Sequence, residues 1–285
     1  MSADGWSLNT DRRQLMSNWM NLDQNTVYEF QLKTLSGFIR PRGHYHGLVL
    51  FAKGQPITRP GACTLNLEHY CARGDGSGRF VPRDKCQTHY EVNSDRLSIH
   101  FEETDEWKVK SIVTYQLHAD DCIDVTFDFT FSQPYEGFEA FIASYFYERC
   151  IPFLRIGEEW LQPHIEPGQQ LFFTRDDDGA GLVVDGRWEW LRNNTLFAND
   201  DGRKYTLPVI VAWNQETHHA LIQMIELTKC PSISVNTFAY AQDFSLIGED
   251  VSMGEQISAR ARLLYREVTD LEAVTEWYAA WDIER

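Results

Sequence analysis

Long hydrophobic runs are missing from this 285-residue chain. No apolar segment approaches the roughly 20 residues that a membrane-spanning helix requires. Residues 1–6 (MSADGW) also lack the basic and apolar regions of a secretory signal. We therefore expect a cytoplasmic protein with no membrane partner.

Positive charge is scarce as well. The chain has 26 Lys and Arg against 42 Asp and Glu, which gives a formal net charge of -16. Such a charge opposes binding to phosphate backbones, so nucleic acid is not an expected partner. A neutral sugar is compatible with it, whereas a uronate or sugar phosphate would need a local cluster of guanidinium groups. Arg40, Arg42 and Arg83 belong to a run of arginines that either forms such a cluster or lies solvated on loops.

Several chemical motifs are absent. Six cysteines are scattered without a C-x-x-C pair, so we expect reduced, mostly buried thiols rather than a disulfide framework or a zinc knuckle. There is no nucleophile elbow, phosphate-binding loop or dinucleotide fingerprint. These absences argue against serine hydrolases of that type, nucleotide enzymes and nicotinamide-dependent oxidoreductases. Acid–base chemistry, metal-assisted chemistry and plain binding remain.

Alternation of apolar and polar residues with a period of two dominates the chain. It is clearest over residues 122–131, where Phe127, Phe129 and Phe131 share one face and Asp124 and Asp128 the other. Since successive side chains of a strand point to opposite faces, this pattern predicts a half-buried strand. Similar runs cover residues 97–101, 112–117, 207–213, 220–227 and 257–266. The dipeptides at 185–186 and 201–202 (both DG) predict hairpin turns between strands.

Helix is predicted only near the chain ends. Residues 269–272 (TDLE) form a capping box before an apolar stripe, which predicts a C-terminal helix over about 269–282. A second short helix is predicted around residues 10–19, within an N-terminal segment 1–25. Many strands with scarcely any internal helix predict an all-β fold, a large antiparallel two-sheet sandwich forming one domain over residues 1–285. A double lipocalin-like barrel with an apolar ligand is the alternative.

Three phrases carry a family resemblance. Residues 43–47 read GHYHG, residues 141–146 read FIASYF, and residues 223–231 read QMIELTKCP, followed by a Met-Gly-Glu turn at 253–255. In this order they resemble the galactose-mutarotase-like (aldose epimerase-like) superfamily over roughly residues 35–266. The first phrase looks like the His-Gly segment that brings an imidazole to the sugar, with His46 at the matching position. The third looks like the strand that bears the catalytic base, with Glu226 at its position. The resemblance implies the large sandwich, or supersandwich, of that superfamily and a sugar ligand.

The middle phrase departs from the superfamily at an important place. There the strand reads His-x-Tyr-Phe and its His is the catalytic acid, whereas this chain has Ala143. Mutarotation needs a base for the anomeric hydroxyl proton and an acid for the ring oxygen, and each contributes around 10²- to 10⁴-fold. His118, His89 or His44 could replace the missing acid, or each could be an ordinary surface histidine.

These observations give one hypothesis about the site. We expect a carbohydrate-active or carbohydrate-binding protein, with proton transfer on a sugar by epimerisation or β-elimination if it is catalytic. The residues predicted to be catalytic are Glu226, His118 and His46. The residues predicted to contact the substrate are Arg40, Arg42, His44, His89 and Trp188.

No cofactor and no metal are predicted. His44 and His46 are two residues apart, so on a strand they would share a face and could hold a divalent ion with Glu68 or His69. An H-x-H pair alone falls short of a complete ligand set, and we therefore favour a structural role for the pair.

A second class of function is also open. Ala143 is consistent with a non-catalytic sugar-binding or assembly module that kept the sandwich and lost the chemistry. Exposed sheet edges would allow a homodimer.

Overall fold

The computed structural model describes residues 16–21, 28–40, 46–72, 80–167, 170–175, 200–237 and 240–283, with the side chains of 16–21 and 200–202 left aside. Within these ranges lie nineteen strands and two α-helices. The strands are β1 (Met16–Asn21), β2 (Tyr28–Gln31), β3 (Leu35–Ile39), β4 (Leu48–Ala52), β5 (Gln55–Pro56), β6 (Asn66–Cys71), β7 (Thr88–Asn93), β8 (Arg96–Phe101), β9 (Val109–His118), β10 (Cys122–Phe131), β11 (Tyr135–Ala143), β12 (Ile151–Ile156), β13 (Glu159–Leu161), β14 (Gln170–Arg175), β15 (Asp200–Asn214), β16 (His219–Ile225), β17 (Ser232–Asn236), β18 (Gln242–Val251) and β19 (Gln256–Glu267). The helices are α1 (Pro82–Lys85) and α2 (Glu272–Ile283).

The predicted all-β class is confirmed. Strand β10 covers the run 122–131 in which the alternation is clearest, and four of the other five runs fall in β8, β9, β15 and β19. The run 220–227 lies in β16 up to Ile225, and its last residue begins a 3₁₀ turn. The six cysteines are free and buried, as their spacing predicted. Among the described residues, no helix has the length and apolar character needed to cross a membrane.

Two local predictions are wrong. Residues 16–19 of the predicted N-terminal helix lie in strand β1, because this strand pairs antiparallel with β2 and the pairing outweighs local helix propensity. The predicted turn at residues 201–202 lies within β15, whose first residues run parallel to β14. The other predicted turn, at residues 185–186, lies outside the described residues.

Most strands belong to one long sheet. Five strands form a small sheet in the order β1-β2-β3-β4-β5, and the 14-stranded sheet runs β6-β11-β18-β17-β14-β15-β16-β19-β10-β9-β8-β7, with β12 and β13 attached through β15. Every pairing is antiparallel except that of β14 with β15. The long sheet folds on itself, since inward-facing residues of both its halves belong to one hydrophobic core, with β6, β11, β18, β17 and β14 in one half and β16, β19, β10, β9 and β8 in the other.

Aromatic side chains fill the space between the two halves. Phe138 of β11 lies 4.8 Å from Phe131 and 6.0 Å from Phe129 of β10, measured between ring centroids. Tyr70 of β6 lies 6.2 Å from Phe129. All four rings are almost fully buried. The predicted two-layer sandwich is therefore present, with the core between its halves.

Helix α2 covers the outer face of the second half. Val274, Tyr278 and Trp281 are buried there in a cluster with residues of β15, β16 and β19. The Tyr278 hydroxyl donates a hydrogen bond to the carbonyl oxygen of Ile225 at 3.0 Å. The predicted helical stripe is thus the surface that attaches the C-terminal helix to the sandwich.

The outer face of the first half has a different character. There the side chains of Glu68, His69, Glu139, Ser234 and Asp243 are polar, and all are less than a tenth exposed. We call this surface the polar face.

Candidate functional site

Strand register determines which side chains reach the polar face. Ile142 of β11 pairs with Phe244 of β18, and both point into the core. Their neighbours Ala143 and Asp243 therefore point outward and lie opposite each other. Asp243 pairs in turn with Ser234 of β17. The position where the resemblance expects an acid is thus adjacent to a carboxyl group on the next strand.

Asp243 is a buried acid with few hydrogen bonds. The Ser144 backbone N–H donates to its Oδ1 at 3.3 Å, and the Ser234 hydroxyl donates to its Oδ2 at 3.4 Å. Burial raises the pKa of Asp243 well above its ordinary value of 3.8, and the nearby charge of Glu68 raises it further. This environment favours the neutral, proton-carrying form of the carboxyl group.

Glu68 lies in the opposite kind of environment. Its Oε1 is 2.9 Å from Arg83 Nη1, and its Oε2 accepts a hydrogen bond from Asn66 Nδ2 at 2.5 Å. A guanidinium group and an amide donor together favour the charged carboxylate. Glu68 is also the extra residue of a β-bulge, since Phe141 pairs with His69 and Ile142 with Leu67. Bulges redirect side chains and are enriched beside active sites.

Two further side chains complete the polar face. The His69 ring stacks on Phe141 with the ring centroids 4.8 Å apart. The Cys71 thiol donates to Glu139 Oε2 at 3.5 Å, and Glu139 is fully buried. The polar face therefore carries three carboxyl groups and an imidazole on three neighbouring strands, β6, β11 and β18.

The chemistry that this arrangement allows is proton transfer. Strands β6 and β18 flank β11, so the backbones bearing Glu68 and Asp243 lie roughly 10 Å apart, two strand spacings. One carboxyl group favours the neutral form and the other the anion. Such a pair can act as acid and base on one bound molecule. Between them stands the small side chain of Ala143.

No protein-family model matches the chain, and no curated protein sequence matches it. Solved structures do match. A candidate aldose 1-epimerase from Escherichia coli K12 aligns over 85% of this chain and 99% of its own, with a TM-score of 0.58 and 11% identity. A galactose 1-epimerase from Lactobacillus acidophilus aligns over 88% and 98%, with a TM-score of 0.50 and 9% identity.

The chain has the galactose-mutarotase-like fold. This confirms the architecture that the three sequence phrases implied. An α-N-acetylgalactosaminidase from Bifidobacterium bifidum, in complex with GalNAc, also aligns with 90% of the chain, with a TM-score of 0.57 and 12% identity. The chain spans only 39% of that protein. At these identities the comparisons establish the fold alone.

His46 lies inside this mutarotase-like sandwich, away from the polar face. It is 1% exposed, and its ring packs 5.5 Å from Phe101 and 6.2 Å from Tyr90, measured between ring centroids. Its backbone N–H donates to Asn66 Oδ1 at 3.1 Å, and Asn66 in turn donates to Glu68. The residue therefore supports the strand that bears Glu68 through its backbone.

Glu226 and His118 lie on the outer face that α2 borders. Arg260 Nε is 3.8 Å from Glu226 Oε2, and His118 Nε2 is 2.9 Å from Asp124 Oδ2. Three strand spacings, roughly 14 Å, separate the strands β16 and β9 that lead to Glu226 and His118. The structure brings neither of them to the polar face, and Glu226 as a base stays a prediction.

The predicted substrate contacts are spread over the molecule. His89 lies on the outward side of the edge hairpin formed by β7 and β8. Arg40 directly follows β3, and its charge acts on the buried Cys63 thiol together with those of Glu68 and Arg83. Burial is the main cause that raises the pKa of Cys63, and Glu68 adds to it. The remaining predicted contacts, Arg42, His44 and Trp188, lie outside the described residues.

Sequence reasoning missed Asp243 and Glu139 entirely and considered Glu68 and His69 only as metal partners. Neither missed acid belongs to a recognisable motif. The structure supplies the signal that the sequence lacks: Glu139 and Asp243 lie within the continuously buried parts of β11 and β18, residues 137–143 and 242–247. An acid on a sheet face in contact with water keeps its hydration and is ordinary. A buried acid loses that hydration, so its presence at these positions indicates a specific role.

Proposed function

We propose that this chain is a carbohydrate-active protein that transfers protons on a sugar at the polar face, with Asp243 as the acid and Glu68 as the base. One observation carries the proposal: two buried carboxyl groups flank Ala143, one in an environment that favours its neutral form and one paired with Arg83. Opposed protonation states on neighbouring groups are typical of acid–base catalysis.

The reaction that fits first is 1-epimerisation of an aldose. Asp243 donates its proton to the ring oxygen while Glu68 takes the proton of the anomeric hydroxyl. The bond between C1 and the ring oxygen breaks, its electron pair goes to that oxygen, and an open-chain aldehyde forms. Rotation about C1–C2 and ring closure return both protons and give the other anomer. No net oxidation or reduction occurs.

The structural neighbours support epimerisation before β-elimination. The two epimerases described above align over nearly their whole length. A heparan sulfate lyase from Pedobacter heparinus, with a TM-score of 0.51 and 8% identity, aligns with 89% of this chain but only 37% of its own. Of these three neighbours, the two that align over nearly their whole length are the ones named as epimerases.

The test is anomer exchange measured by NMR on a panel of aldoses, with Asp243→Asn and Glu68→Gln. We expect each substitution to lower the rate by about 10²- to 10⁴-fold, the usual contribution of a general acid or base. Glu226→Gln and His118→Asn serve as controls and should keep the wild-type rate. Wild-type turnover by Asp243→Asn would remove Asp243 from the mechanism. A loss confined to Glu226→Gln would return the base to that residue.

A non-catalytic sugar-binding protein is the second candidate, and Ala143 at the expected acid position favours it. Glu139 is 0% exposed and Asp243 is 2% exposed, so a ligand has to displace what covers them. Calorimetric titration with aldoses, uronates and sugar phosphates separates the two candidates. Affinity without turnover across the panel would support binding alone. The homodimer and the cytoplasmic location remain predictions.

A further inference from the structure

The edge hairpin of the long sheet carries a compact set of donor atoms unrelated to the polar face. His89 of β7 lies directly opposite His100 of β8, and their rings stack with centroids 4.2 Å apart. Glu91 follows His89 by two residues on the same face and lies diagonal to His100, within reach of long side chains. One nitrogen from each His and one carboxylate oxygen of Glu91 all lie within 4.8 Å of one another.

His100 is the most informative member of this set. The residue is 9% exposed, and in the described part of the chain its Nε2 makes no hydrogen bond of good geometry. This atom faces Glu91 Oε2 at 3.4 Å, outside hydrogen-bonding geometry. A buried imidazole nitrogen that makes no hydrogen bond carries a cost in free energy. An atom between it and the carboxylate would remove that cost.

We propose that His89, His100 and Glu91 form a binding site for a divalent transition-metal ion of the zinc type. Two imidazoles and one carboxylate are a known zinc donor set, which leaves a fourth position open. Metal–ligand bonds of about 2.0–2.1 Å in tetrahedral geometry place neighbouring donor atoms about 3.3 Å apart. His100 Nε2 lies 3.4 Å from Glu91 Oε2, and His89 Nε2 lies 3.9 Å from the other oxygen of the same carboxylate, Oε1, so a small rotation of the side chains is needed to bring both nitrogens around one oxygen ligand. His89 is half exposed, so its ring is free to close the longer distance.

The surroundings suit a cation. Glu102 Oε1 lies 3.7 Å from His89 Nδ1, and a carboxylate behind a ligating His orients its ring. Lys110 lies 3.2 Å from Glu102 and offsets one negative charge, which leaves Glu91 to balance the ion. The whole chain carries a formal charge of -16, which also favours cations.

A second donor cluster in the described residues is a weaker candidate. His118, Cys122 and Asp124 also lie within reach of one ion. Arg262, however, already binds both carboxylate oxygens of Asp124, at 2.6 and 2.9 Å. An ion there would have to displace a bidentate guanidinium group. The hairpin site has no such competitor among its described contacts.

The test uses the full chain, freed of metal with a chelator, and titrates Co²⁺ by visible absorption and Zn²⁺ by calorimetry. We expect about one equivalent to bind and expect His89→Asn and His100→Ala each to weaken binding at least tenfold, since even outer-shell substitutions cost 10- to 100-fold. Because His100 is buried, circular dichroism of His100→Ala checks that this variant still folds. His89 is exposed, so His89→Asn provides an independent variant.

The matched control is His164→Ala. His164 and Glu166 form an exposed pair with the same H-x-E spacing, at 3.0 Å, but without a second His in that cluster. Unchanged affinity in this variant, with loss in the other two, supports the proposal. Absence of stoichiometric binding, binding that survives His89→Asn, or binding removed by Cys122→Ser would overturn it. Sugar turnover plays no part in the measurement, so the outcome is independent of the proposed function.

Discussion

The two outer faces of the sandwich differ in how they compensate their buried carboxyl groups. On the face that borders α2, Asp124 binds Arg262 through both oxygens and also His118, and Glu226 lies beside Arg260. On the polar face, Asp243 has no basic side chain within hydrogen-bonding distance in the described chain and depends on one backbone N–H and one hydroxyl. The first face neutralises its charges by pairing. The second pairs Glu68 with Arg83 but leaves Asp243 buried without a cation, which favours its neutral form.

This difference separates structural from functional candidates. The Asp124–Arg262 pair links neighbouring strands of one sheet, and Arg262 also lies over the Trp281 ring of α2, so this face has a structural role. A carboxyl group whose pKa is raised by burial costs stability, so its presence indicates selection for something else. The polar face is therefore the better place to look for chemistry, although the sequence motifs pointed to the other face.

The largest expected effect comes from removing Trp281, the aromatic residue of α2 that packs on the outer face covered by this helix. Trp281 is 3% exposed, and the guanidinium groups of Arg260 and Arg262 lie over its ring at 5.5 and 5.9 Å. Trp281→Ala should lower the free energy of unfolding by about 3–5 kcal/mol, the usual cost of deleting a buried aromatic side chain. Urea denaturation measures it. Trp277→Ala, at a half-buried position beside Arg266, is the control and should cost clearly less. Equal losses would mean that Trp281 is no special anchor.

The second prediction concerns the pH dependence of stability at the polar face. The pKa of Asp243 is raised in the folded protein, so above pH 3.8 the native state holds a proton that the unfolded chain has released. Stability then falls as pH rises towards the folded pKa, by at most about 1.4 kcal/mol per pH unit. Asp243→Asn does not ionise, so its melting temperature should rise relative to wild type between pH 4 and pH 7.

A matched substitution on the same face completes this experiment. Ser245 is 1% exposed and bonded to Ser232 at 2.9 Å, and it does not ionise. Ser245→Ala should therefore shift the melting temperature by the same amount at both pH values. If the Asp243→Asn difference were equally flat, the carboxyl group would be charged in the folded protein, and the contrast between the two faces would fail.

The sequence predicted the scaffold far better than the site. Alternation along residues 122–131 is a local property of one segment. A strand with one face toward the core can be predicted from such a segment alone. Asp243 could not be predicted from a local pattern. Its raised pKa arises from burial on β18 between β11 and β17, and from the charge of Glu68, which is 175 positions away in sequence. His46 failed in the reverse direction: its motif was readable, but its ring packs against Phe101 in the core, next to the bridge between Leu48 and Thr64. Long-range pairing decides both, and no single segment contains it.

The smallest effect is expected from breaking ion pairs on the outer face that α2 borders. Asp124 is 30% exposed at its side chain, and Asp120 is 65% exposed with a single bond to Arg266 at 2.9 Å. Asp124→Asn should cost about 1 kcal/mol, because solvent screens a partly exposed pair, while Asp120→Asn should stay within about 0.5 kcal/mol. Denaturation curves of both variants, recorded with anomer exchange rates, decide the point. If Asp124→Asn kept wild-type stability but lost turnover, His118 and Asp124 would be catalytic, and the chemistry would belong to the face that we assign to structure.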